Sequence, residues 1–132
     1  MTLDALLHTW RQQAIKLNAG ATPALLAAAE AELHFHFPDD FKRLYAVANG
    51  FRDADCTEGL MSLWPLEMIC VEYQRSTTPE FISFCDYSIH CHYIGFLRHS
   101  AGVYKQYQTP VFLCHSFWQA IDWITRAHPA IY

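Results

Sequence analysis

The sequence predicts an α+β domain, and a change of rhythm along the chain carries that prediction. Up to about residue 75 the apolar residues recur mostly at the three-to-four spacing of buried helix faces, and from Phe81 to Cys114 they follow the period of two that belongs to strands. A length of 132 residues points to a single domain over residues 1–132. Folding at that size buries about 68% of the unfolded surface, enough for one core without disulfide staples. The 52% hydrophobic and 17% charged composition is that of a globular chain.

The elements follow in order. Residues 2–17 predict an amphipathic helix capped by Thr2, with Leu3, Leu6, Leu7, Trp10, Ala14 and Leu17 on its apolar face and Asn18-Ala19-Gly20 as its end. Thr22-Pro23 restarts a helix that runs to about Leu33. The stretch F-P-D-D-F-K-R-L-Y-A-V-A-N-G, residues 37–50, predicts a third helix over 38–48. Pro38 suits the first turn, Asp39 and Asp40 suit the positive end of the helix dipole, and Phe41, Leu44, Tyr45 and Ala48 form one stripe. Asn49-Gly50 would end it in a left-handed conformation, which Gly50→Asn would tolerate better than Gly50→Val. A polar loop precedes a short strand at Leu60–Trp64, and Pro65 opens a helix ending near Arg75. Strands are predicted at 81–86, 90–98 and 103–107, with a turn at Ser100-Ala101-Gly102, and a short buried strand at Val111–Cys114 follows Thr109-Pro110. Ser116 and Gln119 form a capping box for a last helix that turns Phe117, Ala120, Ile121 and Ile124 inward and stops by Pro129.

Charge and cysteine usage narrow the function. The net charge is −4; residues 1–70 hold nine acids and five bases, and residues 71–132 hold four of each, so the whole excess lies in the first half. No basic stripe exists to meet phosphates, which argues against nucleic acid as the direct ligand. No apolar run approaches the roughly 20 residues of a membrane span, and the N-terminus lacks a basic signal-like region, so a cytoplasmic protein without membrane contact is expected. The five cysteines, Cys56, Cys70, Cys85, Cys91 and Cys114, form no C-x-x-C pair and read as free, mostly buried structural thiols.

Candidate chemistry is sparse. His90-Cys91-His92 would place two imidazoles on one side of a strand, with Cys85 or Cys114-His115 as further donors, but no second spaced pair completes a metal site; Cys91 then reads as core. Cysteines and histidines with Asp86 as orienter lack any glycine-flanked nucleophile turn or Gly-rich phosphate loop, so neither an enzyme nor a cofactor is expected. Among twenty aromatic residues, Tyr87, Tyr93, Tyr104, Tyr107 and Trp118 are candidates for a half-wet binding surface, Tyr87 and Tyr93 on one strand face foremost. Asp53, Asp55 and Glu58 fall within six positions among small and polar neighbours, an exposed acidic loop suited to steering a basic partner.

The spaced blocks also resemble a known family. Glu30, Leu33, Phe37-Pro38, Asp40-Phe41, Tyr45 and Asn49-Gly50, followed by Trp64 in W-P-L-E-M-I and Asp86 in F-C-D-Y-S-I-H-C-H-Y-I-G-F, look like the signature of the SUKH superfamily, which includes bacterial immunity proteins and relatives of fungal cell-wall assembly regulators. His34 stands where that family often has glycine; it would have to adopt positive φ, which His tolerates better than most. The resemblance implies helices packed on one side of a mostly antiparallel, twisted sheet. It also implies a protein partner: a toxin domain, often a nuclease, that an immunity protein neutralises by binding, or another cellular protein bound by a regulatory or scaffold domain. No feature sets an oligomeric state.

Overall fold

The period-two part of the chain, with one short strand before it, builds a five-stranded antiparallel sheet in which each strand pairs with its neighbour in sequence. In the computed structural model, which describes residues 1–132, these strands are β3 Met61–Leu63, β4 Phe81–Tyr87, β5 His92–Leu97, β6 Ser100–Gln106 and β7 Pro110–Cys114. The helices are α1 Leu3–Gln12, α2 Pro23–Leu33, α3 Asp39–Tyr45, α4 Leu66–Arg75 and α5 Phe117–Thr125, with a final 3-10 turn at Pro129–Ile131. The fold is α+β, and no helix is long and apolar enough to cross a membrane.

One sheet face carries the core. Phe84 and Phe96 lie with ring centroids 5.0 Å apart, and Phe41 of α3 and Phe117 of α5 close over them. Phe37, Phe41 and Tyr45 recur every four residues and therefore stack along one line, at 4.1 and 4.0 Å. Helix α1 packs on α5, while α2 and α4 pack together beside β4.

The caps at the helix starts follow the predicted chemistry. Thr2, Thr22 and Ser116 each accept a backbone N–H three residues on, at 3.1 Å in all three cases. His34 ends α2 at φ 50 in the left-handed region, the conformation predicted for it.

Two helix ends differ from the prediction. Helix α1 stops at Gln12, Ala14 turns to φ 57, and Leu17–Ala19 forms a strand, β1. Helix α3 ends at Tyr45 rather than at 48, and Ala48–Phe51 is a strand, β2, antiparallel to β1. Pairing between segments thirty residues apart outcompetes local helix preference here. Ala21 N–H donates to the Tyr45 carbonyl at 2.8 Å, and Asn18 Nδ2 donates to the carbonyls of Asn49 and Phe51 where the ladder is irregular. Gly50 does adopt positive φ, +67, but inside β2 and not as a helix cap. It is required by a close approach: a Cβ there would lie 2.5 Å from the Trp64 carbonyl carbon and the Pro65 nitrogen.

Three smaller differences lie in the sheet. Residues 100–102 are inside β6, because Leu97 pairs with Ser100 and the hairpin turns at Arg98-His99. The strand predicted from His90 starts at His92, since Ser88, Ile89 and His90 all have positive φ. β7 is an edge strand, so Val111 and Phe112 are exposed rather than buried. Cysteines 70, 85 and 114 are buried as expected, Cys56 is half-buried and Cys91 is exposed, lying in the turn before β5 instead of the core.

Two predictions follow from this packing. Because the obstacle at Gly50 is backbone, Gly50→Asn and Gly50→Val should both destabilise by about 2 kcal/mol or more, measured by urea unfolding; a tolerated Asn would mean that the corner relaxes. Burial, helped by hydrogen bonding to Glu32, pushes the Cys70 thiol up to about 12, and burial pushes Cys114 up to about 11. Native protein at pH 8 should therefore alkylate at Cys91 well before Cys70 or Cys114, and Cys70→Ala or Cys114→Ala should cost on the order of 1 kcal/mol without changing the fold, as read by circular dichroism and urea unfolding.

Candidate functional site

The polar and turn-forming residues of the sequence signature turn out to hold elements together. Glu30 at the end of α2 accepts Phe37 N–H at 2.8 Å and pairs with Lys42 Nζ at 3.2 Å, clamping the α2–α3 link. Pro38 occupies the N-cap position of α3, and its carbonyl accepts Lys42 N–H. Asp40 accepts Trp118 N–H at 3.0 Å, so an α3 side chain caps the first turn of α5. Asn49 does the same for α4, whose own N-cap is Pro65 and offers no side chain: its Oδ1 accepts Leu66 N–H at 2.8 Å and its Nδ2 donates to Glu67. Gly50 lies against Trp64-Pro65, and the Tyr45 hydroxyl donates to the Trp64 carbonyl at 2.5 Å. Trp64 Nε1 in turn donates to the buried Asp86 carboxylate at 2.8 Å, whose other oxygen accepts His90 N–H at 2.7 Å.

Beside this framework the surface opens into a groove. Two adjoining hollows, of about 440 and 260 Å³, share Ala54, Ser62 and Met68. The first reaches toward Asn49 and Glu67, the second toward Leu60 and Ile89. Its rims are two loops with unusual backbones. Asp53, Ala54 and Leu60 have positive φ in one, and Ser88, Ile89 and His90 have it in succession in the other. A β-branched residue at φ 57, as Ile89 is, is a steric outlier. Hydrogen bonds hold these shapes: Ser88 N–H donates to the Leu60 carbonyl at 2.9 Å, and the Ser62 hydroxyl donates to the Asp55 carbonyl at 2.7 Å. The result is that Ile89 stands 89% exposed and Leu60 47% exposed at the groove's edge.

The three acids of the loop have different roles. Asp53 and Glu58 are exposed, and Arg52 lies 4.0 Å from Asp53 in a solvated pair. Asp55 is half-buried and engaged: its two oxygens accept Lys16 N–H at 2.8 Å and Cys56 N–H at 2.9 Å, tying the loop to the chain before β1. Glu67, which the sequence reading passed over, is exposed on the same groove. Leu60, Met68 and Ile89 were also passed over; nothing in Y-S-I-H-C announces three left-handed residues without a glycine.

Tyr87 and Tyr93 do not share a surface. Tyr87 pairs with His92 and Tyr93 with Asp86, so adjacent positions of β5 place them on opposite sheet faces. Tyr87 packs against Tyr132, whereas Tyr93 packs on Trp64 and His90. Tyr104 and Trp118 each donate to a backbone carbonyl, of Ala101 and Met1, and Tyr107 is exposed over His92.

His90 and His92 are likewise separated, since His90 lies in the turn and His92 is buried in β5 with Nε2 donating to the Ile131 carbonyl at 2.7 Å. No three His, Cys, Asp or Glu side chains converge in a metal-holding arrangement. Burial first, and then the nearby Lys105 charge, hold the His92 imidazole below its ordinary range against the opposing pull of its carbonyl partner. A histidine whose folded pKa is lowered binds fewer protons folded than unfolded, so stability present above about pH 6.5 is lost as pH falls through that value. Urea midpoints should therefore drop between pH 7.5 and 5.5, and drop less in His92→Gln; parallel decline of both proteins would place the effect elsewhere.

A model of the SMI1 / KNR4 family (SUKH-1) matches residues 20–125, from the β1–α2 link through the end of α5. No curated protein matches the chain. The match spans most of the sequence and takes in all of the framework residues, and the chain belongs to the SMI1 / KNR4 family (SUKH-1).

Proposed function

We propose that this chain is an immunity protein, acting in the cytoplasm, that neutralises a cognate toxin by binding it and not by catalysis. The carrying observation is the groove between the acidic loop and the Ser88–Cys91 turn, where two apolar side chains are held out to solvent on backbone that costs about 1–3 kcal/mol per strained residue. Conformational strain kept at the surface, next to exposed apolar area and away from the core, fits a docking site better than a stability device. The chemistry of the partner follows from the charges. Asp53 and Glu67 line the groove and Glu58 is exposed on the loop that borders it, with Arg52 the only Lys or Arg in the lining. A toxin whose nucleic-acid-handling surface is basic would complement such a rim, and covering that surface would stop it from meeting its substrate. Family membership supports protein–protein interaction in general.

The partner is found by pull-down from the native host, where a secreted toxin as sole partner is the expected outcome; a housekeeping complex would favour a regulatory or scaffold domain instead. With the partner in hand, Asp53→Ser with Glu58→Ser should slow association severalfold at low salt while leaving the melting temperature and the dissociation rate nearly unchanged. The difference should shrink as salt shortens the Debye length from about 10 Å at 0.1 M to about 3 Å at 1 M. Ile89→Asp should instead speed dissociation. Asp55→Ser belongs to a different class: it strands two backbone N–H groups and should cost about 1–2 kcal/mol of stability. Unaltered kinetics in both the acidic and the Ile89 variants would remove this groove from the interface.

A further inference from the structure

The five-stranded sheet has two edges, and the chain closes only one of them. At β3 the edge is short and occupied: Met61 N–H donates to the Thr57 hydroxyl at 3.2 Å, and the Met61 carbonyl accepts Thr57 N–H at 2.8 Å. At β7 no loop or helix donates to, or accepts from, the backbone of Pro110–Cys114; its only backbone partner is β6. Alternate residues of such a strand turn N–H and C=O groups outward. Proteins usually blunt an open edge with lysine, proline or other charges. β7 has a proline only at its first residue and carries no charged side chain at all.

Its side chains point the same way. Val111 pairs with Lys105 and Phe112 with Tyr104, so they lie on opposite faces of the sheet, yet both are about half exposed, at 53% and 49%. The Phe112 ring is held in place against Tyr104 and His115, at 5.6 and 5.0 Å between ring centroids. A partner lying on one face would cover one of these residues and leave the other wet. A strand added in the plane of the sheet flanks both.

We propose that β7 is the contact surface for a second copy of this chain, the two edge strands pairing antiparallel about a two-fold axis so that the two sheets run on as one. Charge selects the occupant. Two copies at −4 each repel, so they can meet closely only on uncharged surface, and from Gln106 to Ile121 the chain has no Asp, Glu, Lys or Arg. Lys105, the last charge before that run, already donates to the carbonyls of Ala130 and Tyr132. A basic partner would instead be drawn to the acidic first half. The pairing is self-complementary: a two-fold axis normal to the sheet keeps each face on its own side, bringing Phe112 near its mate on one face and Val111 near its mate on the other, the like-with-like contacts that stabilise neighbouring strands. A contact over so short a strand lies at the small end of specific interfaces, about 1,200 Å² or less in total, so the dimer forms reversibly and at micromolar concentration or above. The groove lies beside β3, at the far end of the strand order, so both copies keep it open and the inference does not depend on the toxin-binding reading.

The test is sedimentation velocity of the full chain from micromolar concentration to about 0.5 mM, with amide hydrogen exchange at both ends of that range. A monomer–dimer equilibrium is expected, with at least one amide among Val111, Phe112 and Leu113 gaining protection as the dimer fills. Val111→Glu, which sets a carboxylate beside Lys105 within the monomer and beside its own mate in the dimer, should weaken dimerisation at least tenfold with the melting temperature of the dilute protein nearly unchanged. Phe112→Thr should weaken it as well. An equimolar mixture of Val111→Glu and Val111→Lys should associate more tightly than either variant alone. A chain that stays monomeric throughout, a dimer without added protection in β7, or undiminished dimerisation in both Val111→Glu and Phe112→Thr would overturn the proposal. So would β7 amides that gain protection only when a different protein is added, which would assign the edge to a foreign strand.

Discussion

Helix α4 begins with three backbone N–H groups beyond the reach of its own first carbonyls, those of Leu66, Glu67 and Met68, and a proline that supplies no side chain to help. The residue that answers the first of them comes from another element: Asn49 of β2 accepts Leu66 N–H with its side-chain carbonyl and donates its amide to the Glu67 carboxylate. That reach exists only because the β2 backbone runs against the Trp64-Pro65 peptide, and it can run there only where Gly50 has no Cβ. The contact joins the helical half of the chain to the start of the sheet half. Tyr45 reinforces it from α3 through the Trp64 carbonyl, and Trp64 passes it on to Asp86 and the β4–β5 turn. A cap supplied in trans makes each element's end depend on another element's position, which raises cooperativity beyond what a local cap provides.

That dependence explains why a family signature can be dense without marking a site. Glu30, Asp40, Asn49 and Asp86 are polar or charged and would attract a catalytic interpretation in isolation, but each commits at least one oxygen to a backbone or indole N–H. Their role is to satisfy donors that the folded chain would otherwise bury unpaired. What varies in function is then left to the surfaces around the frame, among them the groove with Leu60 and Ile89 at its edge. The groove is bordered by residues of the framework, Asn49 and Trp64 lining one of its hollows. A rigid corner with adaptable rims suits a binding module, because preorganised walls reduce the ordering cost of association.

Much of the architecture was legible in the sequence because it is written in local chemistry. Thr2, Thr22 and Ser116 cap helices by reaching three residues ahead, His34 ends one where its neighbours permit a left-handed residue, and the alternation from Phe81 onward requires strands. Each of these depends on residues within one turn or one strand, so periodicity and capping rules suffice. The inward faces of α3 and α5 follow for the same reason, with Phe41, Leu44, Phe117 and Ile121 all buried.

Tertiary structure alone decided where competing local preferences yield. Residues 46–51 have the composition of a helix end, yet Ala48–Phe51 becomes a strand because Leu17–Ala19 is there to pair with it, and backbone hydrogen bonds to a distant segment outweigh the small propensities of a few residues. Tyr87 and Tyr93 fall on opposite faces because register, a one-residue matter between strands, assigns every side chain to a side. Asp55 leaves the acidic surface because Lys16 N–H happens to lie within its reach. Sequence determines which groups can donate, accept or be buried; only the assembled chain determines which of them meet.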